Sequence, residues 1–297
     1  MQVLLQVATI FLLMMMGFSA MKLRVVDGRG VSMLSAVVLY FAQPCLVLGK
    51  MQQPVTPTLL MELGWMFVLT CVIMSVSGLI AWTVFRSQPH DRRAVLANLV
   101  MASNCGFMGY PVIIAAMGED ALIYAVMYVS AFNVICWTLG SYFFRGISAV
   151  SPRRIITNPT ILAVLFGVVL LCTGWQLPGF VNDALNSMGG VTTPVAMFVI
   201  GARLVGLQLS DLHDRSMLLA CGLRLIAVPL LVLLALRATP LPPQVTSALY
   251  LCSAMPGASL TAMQSDLYDC EKEFASRGVA VSTALSMLSV PLLLMIS

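Results

Sequence analysis

The stretch Ala97-Asn98-Leu99-Val100-Met101-Ala102-Ser103-Asn104-Cys105-Gly106-Phe107-Met108-Gly109-Tyr110-Pro111 lies in an apolar segment long enough to span a membrane, yet it is badly suited to one continuous helix. Gly106 and Gly109 loosen the backbone, and Pro111 lacks an N–H and clashes with the carbonyl four residues before it. In hydrocarbon every freed N–H and C=O needs a partner, so a break at mid-depth is tolerated only where protein or a water-filled cavity supplies one. The plain alternative is a proline kink that only shapes packing, since Gly and Pro are frequent in membrane helices. A second stretch, Ser247 to Ala258 with Met255-Pro256-Gly257, repeats the device in the second half of the chain. Discontinuous helices at the bilayer midplane are how many secondary transporters build their substrate sites.

Composition demands a membrane. With 60% hydrophobic and 9% charged residues, a water-facing surface could not be kept soluble. At about 20 residues per crossing, ten spans take roughly 200 positions, which leaves short loops and no room for an appended soluble domain. The net charge of +4 reflects loop distribution and gives no sign of nucleic-acid binding. Seven of the eight cysteines (Cys45, Cys71, Cys105, Cys136, Cys172, Cys221 and Cys252) fall in apolar spans without a C-x-x-C, and read as small core residues. His90 and His213 lie in polar loops, so no intramembrane metal site and no cofactor is expected.

The expected fold is all-α and polytopic, with spans at about 3–21, 32–48, 58–85, 94–117, 121–144, 159–175, 183–204, 216–236, 245–267 and 276–296. Span one resembles a signal peptide only weakly, because no Lys or Arg precedes it, and it is read as a mature helix. Basic residues collect in cytoplasmic loops. Alternate loops hold Lys22, Arg24, Arg29, Arg86, Arg92, Arg93, Arg145, Arg153, Arg154, Arg203, Arg215, Lys272 and Arg277, while the others hold only Lys50 and Arg237. This asymmetry puts both termini outside.

Pro44 and Pro194 sit in spans two and seven, and Pro111 and Pro256 in spans four and nine, at offsets of 150 and 145 residues. Such spacing implies two five-span repeats, 1–144 and 159–297, joined by a basic linker, 145–158. An odd number of crossings inverts the second repeat, so that spans four and nine can meet at mid-depth.

The run Asn104-Cys105-Gly106-Phe107-Met108-Gly109-Tyr110-Pro111 resembles the N-x-G-[FI]-x-G-x-P signature of the auxin efflux carrier family, the plant carriers and their bacterial relatives. Asn158-Pro159, Thr193-Pro194 through Gly201-Ala202-Arg203-Leu204, Arg224 through Pro229, and Met255-Pro256 are similar to further family motifs in the same order, so that the likeness covers essentially the whole chain. The resemblance implies a dimerising scaffold of spans one, two, six and seven, and a transport domain of spans three to five and eight to ten. It also implies organic anions as substrates: auxin in plants, dicarboxylates such as malate or malonate in several bacteria. The long cytoplasmic loop of the large plant carriers is missing, which favours a compact bacterial type in an inner membrane over an auxin carrier.

The substrate-binding candidates are Asn104, Gly109, Pro111, Asn133, Pro256 and Gly257. Asn104 would bring an amide to the crossing, or else cap the first half-helix. Asn133 occupies a place where the plant carriers have a substrate-facing glutamine, or else bonds a neighbouring helix. Arg224 lies deep in span eight and needs a partner, whether a substrate carboxylate, the carbonyls of the broken helices or Asp266. Glu62 is either a protonatable coupling group paired with Lys50 or a solvated carboxylate at a helix start. Half-helix N-termini can hold an anion without a dedicated cation. An exporter of anions driven by an inside-negative potential needs no coupling ion, whereas an importer needs H⁺ or Na⁺. Three other readings compete: a sodium-coupled carrier of the bile-acid type, which predicts acidic and amide clusters on both broken spans; a non-transporting receptor; and an intramembrane enzyme, for which paired intramembrane Asp, H-E-x-x-H and G-x-S-x-G are all missing.

Overall fold

The computed structural model describes the backbone of residues 2–53, 55–206 and 213–295, and side chains from residue 8 on. Thirteen helices follow one another among these residues: α1 (Gln2–Lys22), α2 (Gly28–Lys50), α3 (Pro57–Val84), α4 (His90–Met101), α5 (Cys105–Met117), α6 (Glu119–Ala149), the short α7 (Pro152–Ile156), α8 (Pro159–Thr173), α9 (Gly179–Gly206), α10 (Arg215–Arg237), α11 (Pro243–Ser253), α12 (Ser259–Tyr268) and α13 (Lys272–Leu294). Among the described residues the one departure from helix pairing is an isolated antiparallel bridge between Ser103 and Gly257. Among the described residues six helices, α2, α3, α6, α9, α10 and α13, are long and apolar enough to cross a membrane, and α5, α8 and residues Ala8–Lys22 of α1 are shorter apolar helices. The protein is an all-helical polytopic membrane protein.

Helix starts are set by side chains that accept the otherwise orphaned first-turn N–H groups. Asp27 accepts from Gly30 N at 2.7 Å, Thr56 from Leu59 N at 3.2 Å, Asn158 from Thr160 N and Ile161 N at 3.0 and 3.2 Å, and Asp214 from Ser216 N and Met217 N at 3.0 and 3.1 Å. Several helices therefore begin up to four residues before the apolar run that marks them in the sequence, because the first turn is polar. Pro44, Pro111 and Pro229 each follow by two residues a π-helical turn, at Val38–Ala42, Cys105–Gly109 and Leu223–Ala227. The wider turn accommodates the missing N–H and the bulk of the ring.

Two helix groups are evident in the packing. α1 lies along the second half of α9, while α2 packs on α8 and on the first half of α9. The α1–α9 crossing is so close that a Cβ on Gly17 would overlap the carbonyl oxygen of Phe198, and one on Gly201 the carbonyl oxygen of Met14. Small residues allow this approach where helices gain little from hydrophobic burial. In the second group α3 packs on α4 and α6, and α13 on α4, α10 and α12. Trp82 of α3 stacks on Phe143 of α6 at 4.8 Å, and Arg93 of α4 lies 3.9 Å over the same indole.

The ion pair made by Lys50 differs from the expected one. Lys50 bonds Glu119 at 2.8 Å, tying the end of α2 to the start of α6, and does not reach Glu62. Glu62 instead accepts from the Tyr124 hydroxyl at 2.5 Å, which links α3 to α6.

Candidate functional site

Both sequence breaks interrupt their helices, and the two interruptions meet. α4 ends at Met101 and α5 begins at Cys105; α11 ends at Ser253 and α12 begins at Ser259. The linkers run antiparallel, with Asn104 N donating to Pro256 O at 2.8 Å and Ala258 N to Ala102 O at 2.9 Å. Two side chains secure the crossing: Ser103 Oγ donates to Cys252 O at 2.6 Å, and Ser282 Oγ of α13 accepts from Gly257 N at 2.9 Å. Backbone groups that the breaks release are thus paired within the protein, as hydrocarbon requires.

The carbonyl ends of the two leading half-helices share a single guanidinium. Arg224, 1% exposed, donates from Nε to Met255 O at 2.9 Å, from Nη1 to Val100 O at 3.0 Å and from Nη2 to Ser253 O at 2.6 Å. Of the three partners the sequence allows, the carbonyls of the broken helices are the ones it holds. Asp266 is no part of this group; it lies exposed near the end of α12. The positive charge sits where two helix C-termini concentrate partial negative charge, and its planar fork spans three acceptors at once.

The opposite ends are left differently. Asn104 is 5% exposed, its side chain caps neither half-helix, and its Nδ2 is buried without a hydrogen-bond partner. The hydroxyls of Tyr110 and Tyr128 are likewise buried and unpaired. Pro111 is buried in the first turn of the α-helical part of α5, where its missing N–H is harmless. Gly109 is less crowded than its neighbours, since a Cβ there would meet Cys105, Met255 and Cys252 at 3.5–4.0 Å. Pro256 and Gly257 form the crossing itself, and a Cβ on Gly257 would run into Leu99.

Asn133 stands apart from the crossing. Its Nδ2 donates to Val129 O at 2.8 Å and its Oδ1 accepts from Asn158 at 3.0 Å, so that it joins α6 to the start of α8. The interhelical bond is the alternative that its geometry meets. Among the described residues no aspartate or glutamate is buried, and none form a cluster able to hold a metal ion.

Sequence reading overlooked three contributors. Ser282 was one of several hydroxyls along span ten, and Ser103 precedes the family motif by one position. Gln43, 3% exposed on α2, abuts the Gly106 backbone so closely that a Cβ on Gly106 would collide with it. Its signal is the polar residue beside Pro44 in an otherwise apolar span.

A profile of the family described as membrane transport protein matches residues 2–146 and 141–294. An uncharacterized transporter of Methanothermobacter thermautotrophicus is 27% identical over 297 residues, covering 96% of this chain and 95% of the relative. A second uncharacterized transporter, of Methanocaldococcus jannaschii, is 21% identical over 296 residues and covers 96% of both. With interrupted helices joined at one crossing and a match along its length, the chain belongs to the membrane transport protein family, the auxin efflux carrier family that its motifs resemble.

Proposed function

We propose that the protein is a secondary transporter of small organic carboxylates, of the malate or malonate kind, working by alternating access about the crossing of α4–α5 with α11–α12. The observation that carries this reading is the polarity of the crossing. Arg224 occupies the C-terminal carbonyls, while on the N-terminal side Asn104 presents an unpaired amide donor and no carboxylate among the described residues is buried. Helix N-termini with a spare donor and no competing negative charge suit an anion.

In this reading residues 1–144 and 159–297 are inverted repeats joined by 145–158. The tight packing of α1, α2, α8 and α9 supports their role as a scaffold, which pairs with that of a second copy, and the remaining long helices move against it. Both termini face outside, and the basic loops the cytoplasm. Transport of labelled malate or malonate in proteoliposomes tests the assignment. An Asn104→Ala variant is expected to lose at least about tenfold in rate with its melting temperature unchanged, because an already unpaired amide contributes no bond to stability. A fall in melting temperature with transport retained would mark Asn104 as structural instead.

One observation favours sodium coupling of the bile-acid type. Asn98 Nδ2 donates to Gly140 O and Gln264 Nε2 to Cys136 O, which leaves Asn98 Oδ1 and Gln264 Oε1 buried without partners. Both oxygens face Gly140, 3.1 and 3.3 Å from the position of a Cβ there. Transport at the same rate after sodium is replaced by N-methylglucamine would remove this reading.

A further inference from the structure

We propose that Arg203 binds the carboxylate group of the transported anion in a cleft between α9 and the α12–α13 pair, so that it marks the approach to the crossing from the basic side of the protein. The inference rests on the transport reading above and adds a recognition group that the crossing itself lacks.

The cleft is lined by Ile200, Arg203 and Leu204 of α9, Ser259 of α12, and Ser276 and Thr283 of α13, with alanine and valine completing the wall. It has room for about two water molecules, the bulk of one carboxylate group, and Ser276 at its edge is exposed. A whole substrate would therefore insert its carboxylate and leave the rest in the mouth.

Arg203 is half-buried, and Ser35 Oγ of α2 accepts from its Nη2 at 3.2 Å. Ser35 in turn donates to Val31 O at 2.9 Å, so its hydroxyl is oriented to accept. A guanidinium has five N–H donors, and the others have no acceptor among the described residues. No carboxylate among those residues pairs with it, and none lines the cleft. This contrasts with Arg224, each of whose three guanidinium nitrogens donates to a carbonyl. Bonding to Ser35 fixes one edge of the plane and leaves the other edge for a bidentate acceptor, the geometry in which Arg prefers carboxylates.

The cleft also joins the two helix groups. Arg203 belongs to α9, whereas Ser259 is the first residue of α12, two positions after Gly257 of the crossing. The Ser259 hydroxyl makes no hydrogen bond among the described residues and is available as a further donor to the same anion. An anion held here touches both the helix group that carries Arg203 and the one that carries the crossing.

The test is ligand-dependent thermal stabilisation of the purified full chain at constant ionic strength, with acetate, malonate and malate as probes and chloride as the control. The wild type is expected to be stabilised by carboxylates, and Arg203→Gln to raise the half-saturating concentration at least about tenfold, the weight of one charge-assisted bond. Arg203→Lys keeps the charge without the fork and is expected to fall between the two. Should Arg203→Gln fail to fold, Ala262→Phe fills the cleft while keeping the guanidinium, and is expected to weaken stabilisation by a similar factor. Equal half-saturation in wild type and the folded variants would overturn the Arg203 assignment and leave the transport reading standing. Absence of stabilisation and of transport for every carboxylate in the wild type would overturn both.

Discussion

Arg224→Met is expected to lower the melting temperature of the purified protein by roughly 2–25 °C and to leave little folded carrier in the membrane. The variant strips donors from Val100 O, Ser253 O and Met255 O, which close the ends of two half-helices inside the bundle. Hydrogen bonds to a charged group contribute about 1.5–3 kcal/mol each, so three amount to about 4.5–9 kcal/mol. Taking an arginine out of mid-membrane returns about 2.5–3.5 kcal/mol on the insertion scale. The net loss of about 1–6.5 kcal/mol is a large part of a typical stability of about 5–15 kcal/mol, and each kcal/mol moves the midpoint by about 2–4 °C. Arg224→Lys should recover only part of the loss, since an ammonium cannot span three carbonyls as a planar fork does. Were Arg224 chiefly a substrate ligand, Arg224→Met would melt like the wild type and fail only in transport. An unchanged melting curve therefore removes the structural role.

Where the chain breaks was legible because the cause is local. Pro256 and Gly257 act on their own backbone and lie in the second interruption, whereas the first falls at residues 102–104, ahead of Gly106, Gly109 and Pro111, which sit inside α5; hydropathy reports the span around each. What each polar side chain bonds was not legible, because the partners are remote in sequence. Arg224 spans 124 residues to Val100 and 29 and 31 to Ser253 and Met255, and sequence alone favours a structural partner over a substrate without choosing between Asp266 and the carbonyls. Lys50 shows the same limit in the opposite direction. The carboxylate nearest in sequence, Glu62, suggested a pair across the short loop, yet the partner is Glu119, 69 residues away, because α2 ends against the start of α6 rather than against α3. Helix starts fell between these cases: Asp27, Asn158 and Asp214 are recognisable capping residues, but only the structure shows which polar residue in a loop performs the capping. At the candidate site, Asn104, Pro256 and Gly257 came from the breaks themselves, while Ser282 and Gln43 approach from other helices and carry no local signature of the crossing.

Gly201→Val is expected to separate α1 from α9 and to destabilise the protein more than any glycine substitution at the crossing motif's Gly109. A Cβ at position 201 would overlap the carbonyl oxygen of Met14, and the reciprocal Gly17 is blocked by the carbonyl oxygen of Phe198, so neither helix has a flexible side chain that can move aside. Relief requires shifting a whole backbone, and the loss should exceed the about 1–3 kcal/mol typical of overpacking between side chains. By contrast, Gly109→Ala places its methyl at 3.5 Å or more from Cys105, Met255 and Cys252, an ordinary van der Waals distance, and should melt within about 2 °C of the wild type. The comparison runs against motif logic, which would rank Gly109 as the more critical of the two. Melting curves of the two variants side by side decide it: a stable Gly201→Val protein would mean that α1 and α9 are not in the close contact described here, and a strongly destabilised Gly109→Ala protein would mean that α5 has less space beside Met255 than the contact distances allow. If Gly109→Ala melts normally but transports slowly, the added methyl narrows the space beside the crossing, and position 109 matters to the anion's path rather than to the fold.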